Sequence, residues 1–173
     1  MTFALSIPMK SRLLAGLSFG ATVASAAVIG AQFNPEQGTE TGRWYRSLEK
    51  AALNPPDQVF APVWTLLYTA MATSAYRVWS ASSGDERRRA LRYWGLQLGL
   101  NAAWSPTFFG AKRPAASLAL LGALIPSQLL YMRAARDIDR PAFWLFVPYL
   151  AWVMFATPRS SAAIGESGAP PSR

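Results

Sequence analysis

Charge along this chain is blocked, not spread. Five stretches carry no Asp, Glu, Lys or Arg: residues 13–35, 58–76, 93–111, 114–132 and 141–158. A helix rises about 1.5 Å per residue, so about 20 residues cross a hydrocarbon core of about 30 Å. Each stretch is close to that length. A soluble helix repeats charge on a 3.6-residue period, and none of these does. The pattern predicts an all-α membrane protein, a bundle of five transmembrane helices with charged connections. It divides the chain into an N-terminal basic segment 1–12, a five-helix domain 13–158 and a tail 159–173. The tail is rich in Ser, Gly, Ala and Pro and reads as disordered.

Local sequence marks the ends of these helices. Asn54-Pro55-Pro56-Asp57 suits a helix start, since Asn caps, Pro needs no amide donor there and Asp complements the dipole. Gly110 and Pro114 bracket a very short turn, making the third and fourth spans antiparallel neighbours. Pro62, Pro106, Pro126 and Pro148 fall inside spans, where each removes a backbone donor and favours a kink. The first span has a second reading. Lys10 and Arg12 followed by an apolar run and Ala24-Ser25-Ala26 resemble a secretory signal, although the run outlasts a usual signal core. Gly16 and Gly20 instead suit close helix packing.

Composition narrows the chemistry. Apolar residues make up 51% of the chain, and the mean hydropathy is only +0.14 because the connections are so charged. There is no Cys and no His. Disulfides, His-dependent triads and the common zinc and haem ligand sets are therefore excluded. The net charge is +8. With five spans, ten of the seventeen Lys and Arg fall on the face of the N-terminus and seven on the other, a weak bias placing the N-terminus inside. The Arg87–Arg89 run reads as an anchor to anionic lipid, not as a nucleic-acid site.

The seven tryptophans sort by depth. Trp44, Trp79, Trp94 and Trp144 lie near span ends and fit an interfacial aromatic belt. Trp64, Trp104 and Trp152 lie deeper, and alternating span direction places all three roughly 10 Å below one face. Tyr68, Asn101 and Tyr149 form a level roughly 15 Å down. Helical spacing puts Gln97, Asn101, Trp104 and Phe108 on one face of the third span. Trp64 and Tyr68 share a face of the second, and Tyr149, Trp152 and Ala156 share a face of the fifth. On spacing alone, two readings stand. Either these groups only pack a bundle core, or they line a pocket for a flat, largely apolar ligand. No charged residue lies within the spans, so a side-chain proton relay and acid–base hydrolysis both lack their machinery. Gly95 and Gly99, followed by Ala102 and Ala103, give the third span a small-residue face for a homodimer.

Three segments resemble the TspO family of tryptophan-rich sensory and translocator proteins. The first is Trp44-Tyr45-x-x-Leu48-x-Lys50, with Asn54-Pro55-Pro56, Val59-Phe60, Pro62-Val63-Trp64 and Leu67-Tyr68. The second is Gln97-Leu98-x-Leu100-Asn101-x-x-Trp104-x-Pro106-x-Phe108-Phe109-Gly110-Ala111-Lys112. The third is Pro148-Tyr149-Leu150-Ala151-Trp152 with Phe155-Ala156-Thr157. The resemblance implies a dimeric five-helix bundle whose pocket is closed by the first loop. It implies binding of porphyrins, sterols or related flat ligands for transport or sensing. Catalysis is the alternative: light- or oxygen-dependent porphyrin breakdown, with Trp64 and Trp152 matching the family's redox tryptophans. The ligand set it implies is Trp44, Tyr45, Trp64, Tyr68, Gln97, Asn101, Trp104, Phe108, Tyr149, Trp152 and Ala156. Arg43, Arg46, Lys112 and Arg113 lie on the same face and suit a porphyrin's propionates. No cofactor is required, and without His or Cys a metal-free porphyrin such as protoporphyrin IX fits better than haem. Two departures stand out. Leu53 and Gln58 occupy positions where the family carries lid tryptophans, and Pro158-Arg159 is expected to stop the last helix.

Overall fold

The computed structural model describes residues 7–35, 38–47 and 57–167, with side chains described for 7–35, 38–44 and 61–155. Five long helices are present: α1 (Met9–Ala31), α3 (Asp57–Ala81), α4 (Gly84–Ser105), α5 (Pro114–Ile138) and α6 (Arg140–Ser167). A short α2 (Glu40–Ser47) lies in the first connection. Among the described residues there is no strand. The long helices close into a ring in the order α1, α3, α6, α5, α4, with α4 returning to α1. Met71, Ala75, Val78, Tyr131, Phe146 and Tyr149 are fully buried at its centre.

The outside of the ring is apolar. Leu13, Leu14, Leu17, Leu66, Leu96, Leu129, Leu130, Met154 and Phe155 are all exposed. Hydroxyls on this surface fold back onto their own helices. Ser18 donates to the Leu14 carbonyl at 2.8 Å, Thr22 to Ser18 at 2.7 Å, Thr69 to Thr65 at 2.8 Å and Thr73 to Thr69 at 2.8 Å. A hydroxyl satisfied in this way can face lipid, where no water would bond it. By length and composition, α1 and α5 are apolar enough to cross a membrane.

Several sequence expectations change. The charged segment after residue 76 is not a loop. Helix α3 continues to Ala81 and α4 begins at Gly84, so Arg87–Arg89 and Arg92 lie on helix. The turn works because Gly84 takes a positive φ of 71° and Asp85 and Glu86 sit in the first turn of α4, at its positive dipole end. Helix α6 does not stop at Pro158 but runs to Ser167, so the tail expected to be disordered is helical where it is described. Pro148 and Pro158 are accommodated within it. Pro106 opens a π-helical turn, Pro106–Gly110. Proline has no amide hydrogen, so the ladder resets there, and the Ala111 amide reaches back five residues to the Pro106 carbonyl at 2.8 Å. The turn into α5 then uses Lys112 at φ 50°.

Trp94 is not a belt residue. It is 5% exposed, its indole NH donates to the Met71 carbonyl at 3.1 Å, and it meets Phe19 edge-on at 5.3 Å. Trp144, by contrast, is exposed as a belt residue should be.

Candidate functional site: an aromatic chamber under the first connection

The π-turn rotates the end of α4 and packs three rings together. Trp104 stacks face-on with Phe108 at 4.9 Å and 9°, while Phe109 meets both edge-on at 5.6 and 5.0 Å. The connection from α1 to α2 closes over this group. Trp44 of α2 lies against Phe108 at 5.6 Å. Phe33, just past α1, sits on Gly110 so closely that a Cβ there would fall 2.7 Å from its ring. Glu40 is bonded to Lys112, whose ammonium holds the Glu40 carboxyl below its ordinary value.

Deeper in the ring, α3, α4 and α6 contribute a second group. Trp64 contacts Tyr68 at 5.1 Å and Tyr149 at 6.2 Å. The Asn101 amide donates to the Tyr68 hydroxyl at 3.1 Å. Trp104 packs against both clusters and links them. Trp152 is half-buried against the main core and meets Phe155 at 6.0 Å. Of the residues expected at the site, Trp64, Tyr68, Tyr149 and Asn101 are joined by direct contacts, and Trp104 stacks on Phe108; the ring partner of Trp152 is Phe155.

Buried polar atoms from the lid side to mid-bundle lack a partner among the described residues. Both amide atoms of Gln97, both of Gln128, the Trp104 indole NH and the Tyr149 hydroxyl are buried without a hydrogen-bond partner. Gln128 lies beside the Tyr149 phenol, close enough for the two to pair after a small side-chain shift. An unpaired buried group costs about 1–3 kcal/mol.

Gln128 is the residue that sequence reasoning missed. It is the one amide side chain in the charge-free stretch 114–132, and that isolation was the available clue. Phe33 and Phe109 were missed as well, because nothing in their spacing shows that a π-turn will present them. Of the cationic candidates, Lys112 is committed to Glu40, and the Arg43 Nη1 donates to the Gly38 carbonyl at 2.8 Å. Arg113 is exposed. The side chains of Tyr45, Arg46 and Ala156, together with Leu53 and Gln58, lie outside the described residues. Two recesses open elsewhere. One is an apolar groove of about 560 Å³ on the outer surface between α3 and α6, reaching from Leu66 to Trp144. The other, on the opposite face, is polar.

An all-helical bundle with an apolar exterior and a packed aromatic cluster at one end defines a class: an α-helical membrane protein. The chain belongs to the TspO/MBR family, whose sequence model matches residues 18–161. It is 37% identical over 141 residues to a tryptophan-rich sensory protein of Cereibacter sphaeroides, covering 82% of this chain and 84% of that one. It is 35% identical over 131 residues to the human translocator protein, covering 75% and 76%. Similarity to the sheep translocator protein is 38% over 119 residues, covering 66% and 69%.

Proposed function

We propose that all five long helices cross the membrane and that the chamber binds a flat, apolar tetrapyrrole, of which metal-free porphyrin is the model. The protein then moves or senses that ligand. The observation that supports this most is the set of buried, unpaired polar atoms on Gln97, Trp104, Gln128 and Tyr149, set among stacked rings. A porphyrin offers a π-face to indoles and pyrrole nitrogens to amides and a phenol. In this conformation Trp104 and Phe108 fill each other's faces, and α2 covers them. Entry requires Trp44 to leave Phe108, so the α2 segment acts as a lid. Arg113, and Arg43 once released from Gly38, are placed to meet the propionates. The names of the relatives, translocator and sensory protein, agree with transport or sensing, and sterol-like ligands share the apolar requirement. Membrane lipid is the surrounding partner. A homodimer forms through the Gly95 and Gly99 face, where nothing lies within 4 Å of either position. Gly99→Leu should shift the protein toward monomer in mild detergent.

The test is a protoporphyrin IX titration of the detergent-purified protein, read by tryptophan quenching. Saturable quenching, weakened in a Trp64→Phe/Trp152→Phe double variant, is expected; non-saturable quenching in both proteins would overturn the binding reading. Illumination then separates binding from catalysis. Loss of porphyrin absorbance that disappears in Trp64→Phe would establish the enzymatic alternative.

A further inference from the structure

The end of the ring opposite the chamber holds a polar recess of about 280 Å³, lined by Arg12, Tyr76, Arg77, Ser80, Ala81 and Asp139. The first turn of α1, the last turns of α3 and the single-residue link between α5 and α6 meet there. Arg77 is fixed in place. Its Nε and Nη2 donate to Asp139 at 2.9 and 3.0 Å, and Asp139 Oδ1 also accepts the Ala142 amide at 2.8 Å. That fork occupies two guanidinium nitrogens, and among the described residues Nη1 has no acceptor. Arg12, also lining the recess, is exposed and pairs with no carboxylate among the described residues.

Charge and depth point to one kind of occupant. Two guanidiniums and one carboxylate leave a charge of +1, which a singly charged anion neutralises. Arg12 immediately precedes the charge-free stretch 13–35, and Arg77 immediately follows 58–76. Both guanidiniums therefore sit where hydrocarbon ends and phosphate begins. Leu13 and Leu17, 61% and 69% exposed, continue from Arg12 along α1 as an apolar path into the lipid. Arginine nitrogens on a rigid mount are the preferred partners of phosphate oxygens.

We infer that this recess binds the phosphate of a singly charged phosphate ester, with Arg12 and the free Nη1 of Arg77 as its ligands. The source is either a membrane phospholipid or free phosphate. The experiment uses delipidated full-length protein in detergent and measures its thermal midpoint against added phosphatidylglycerol, diacylglycerol without phosphate, or inorganic phosphate at matched ionic strength. Wild type, Arg12→Gln and Lys10→Gln are compared, and native mass spectrometry counts bound lipid. Phosphatidylglycerol should raise the midpoint and diacylglycerol should not. Arg12→Gln should need about tenfold more phosphatidylglycerol for the same shift, while Lys10→Gln, which removes an equal charge two residues away, should behave as wild type. Protection by phosphatidylglycerol alone identifies a lipid site; equal protection by inorganic phosphate identifies a free-phosphate site. If Arg12→Gln responds as wild type does, or Lys10→Gln loses as much as Arg12→Gln, the recess is not a phosphate site. Arg12 touches no porphyrin candidate, so this result and the chamber titration stand or fall separately.

Discussion

Both ends of the bundle bury polar side chains between helices, and they treat them differently. Away from the lid the groups are paired. The Ser74 and Tyr131 hydroxyls bond at 2.6 Å, Ser74 also donates to the Ala142 carbonyl at 2.7 Å, and the Ala142 amide is held by Asp139, which holds Arg77. One chain of bonds thus ties α3, α5 and α6 together. From mid-bundle toward the lid, Gln97, Gln128, Tyr149 and Trp104 keep polar atoms that have no partner among the described residues. The paired end spends its polar groups on fixing the helices. The unpaired groups give up stability, and on the proposed reading an incoming ligand uses them.

The comparison predicts opposite signs for similar substitutions. The largest effect is expected at the paired end. Asp139→Ala removes both the Arg77 pair and the N-terminal cap of α6, and should lower stability by about 2 kcal/mol, read as a fall in the thermal midpoint in detergent. Gln97→Leu, at the other end, should raise stability of the ligand-free protein by about 1 kcal/mol, because an apolar side chain of similar size replaces an unpaired amide. The same variant should bind protoporphyrin IX more weakly. A destabilised Gln97→Leu protein would mean that the amide is already satisfied and the contrast is false.

Gly110→Ala sharpens the lid side of the comparison. Its Cβ cannot coexist with Phe33 where that ring now sits, so the ring must leave, at a cost of about 1 kcal/mol. Ligand association and release, followed by stopped-flow quenching, should both become faster. Tyr131→Phe deletes one of two bonds to Ser74 and should cost about 1 kcal/mol without altering porphyrin affinity.

The smallest effect is with pH. Burial raises the Asp139 carboxyl, but the Arg77 guanidinium and the Ala142 amide outweigh it and hold the group below its ordinary value. A carboxyl lowered in the folded state stabilises above its unfolded pKa, near 3.8, and that contribution disappears as pH falls through the lower folded value. Midpoints measured between neutral pH and about pH 3 should therefore fall more steeply in wild type than in Asp139→Asn.

Much of the chamber was legible along the chain. Counting residues from the charged boundaries places Asn101 level with Tyr68, to which it bonds. That counting works because helix rise is uniform. It failed for Trp94, which lies near a charged boundary and yet turns inward to the Met71 carbonyl, because depth says nothing of rotation about the helix axis. It failed for α2 as well, whose charged residues resembled any connection until Trp44 was seen resting on Phe108. The helical extensions through Arg87–Arg92 and past Pro158 were hidden for a different reason: charge marks where hydrocarbon ends, and a helix can continue into water.

What the sequence by itself determined is the set of apolar segments, their lengths and the depth of the residues on them, since each depends only on local composition and helix rise. The tertiary structure decided which polar groups find partners. Arg77 and Asp139 are 62 positions apart, as the hydrogen bond between them records, and Ser74 and Ala142 are 68 apart. Such pairs form only when the ring order sets α3 beside α6 and each helix is turned to a particular angle. The same rotation leaves Gln97 and Gln128 buried, their amides without a partner among the described residues.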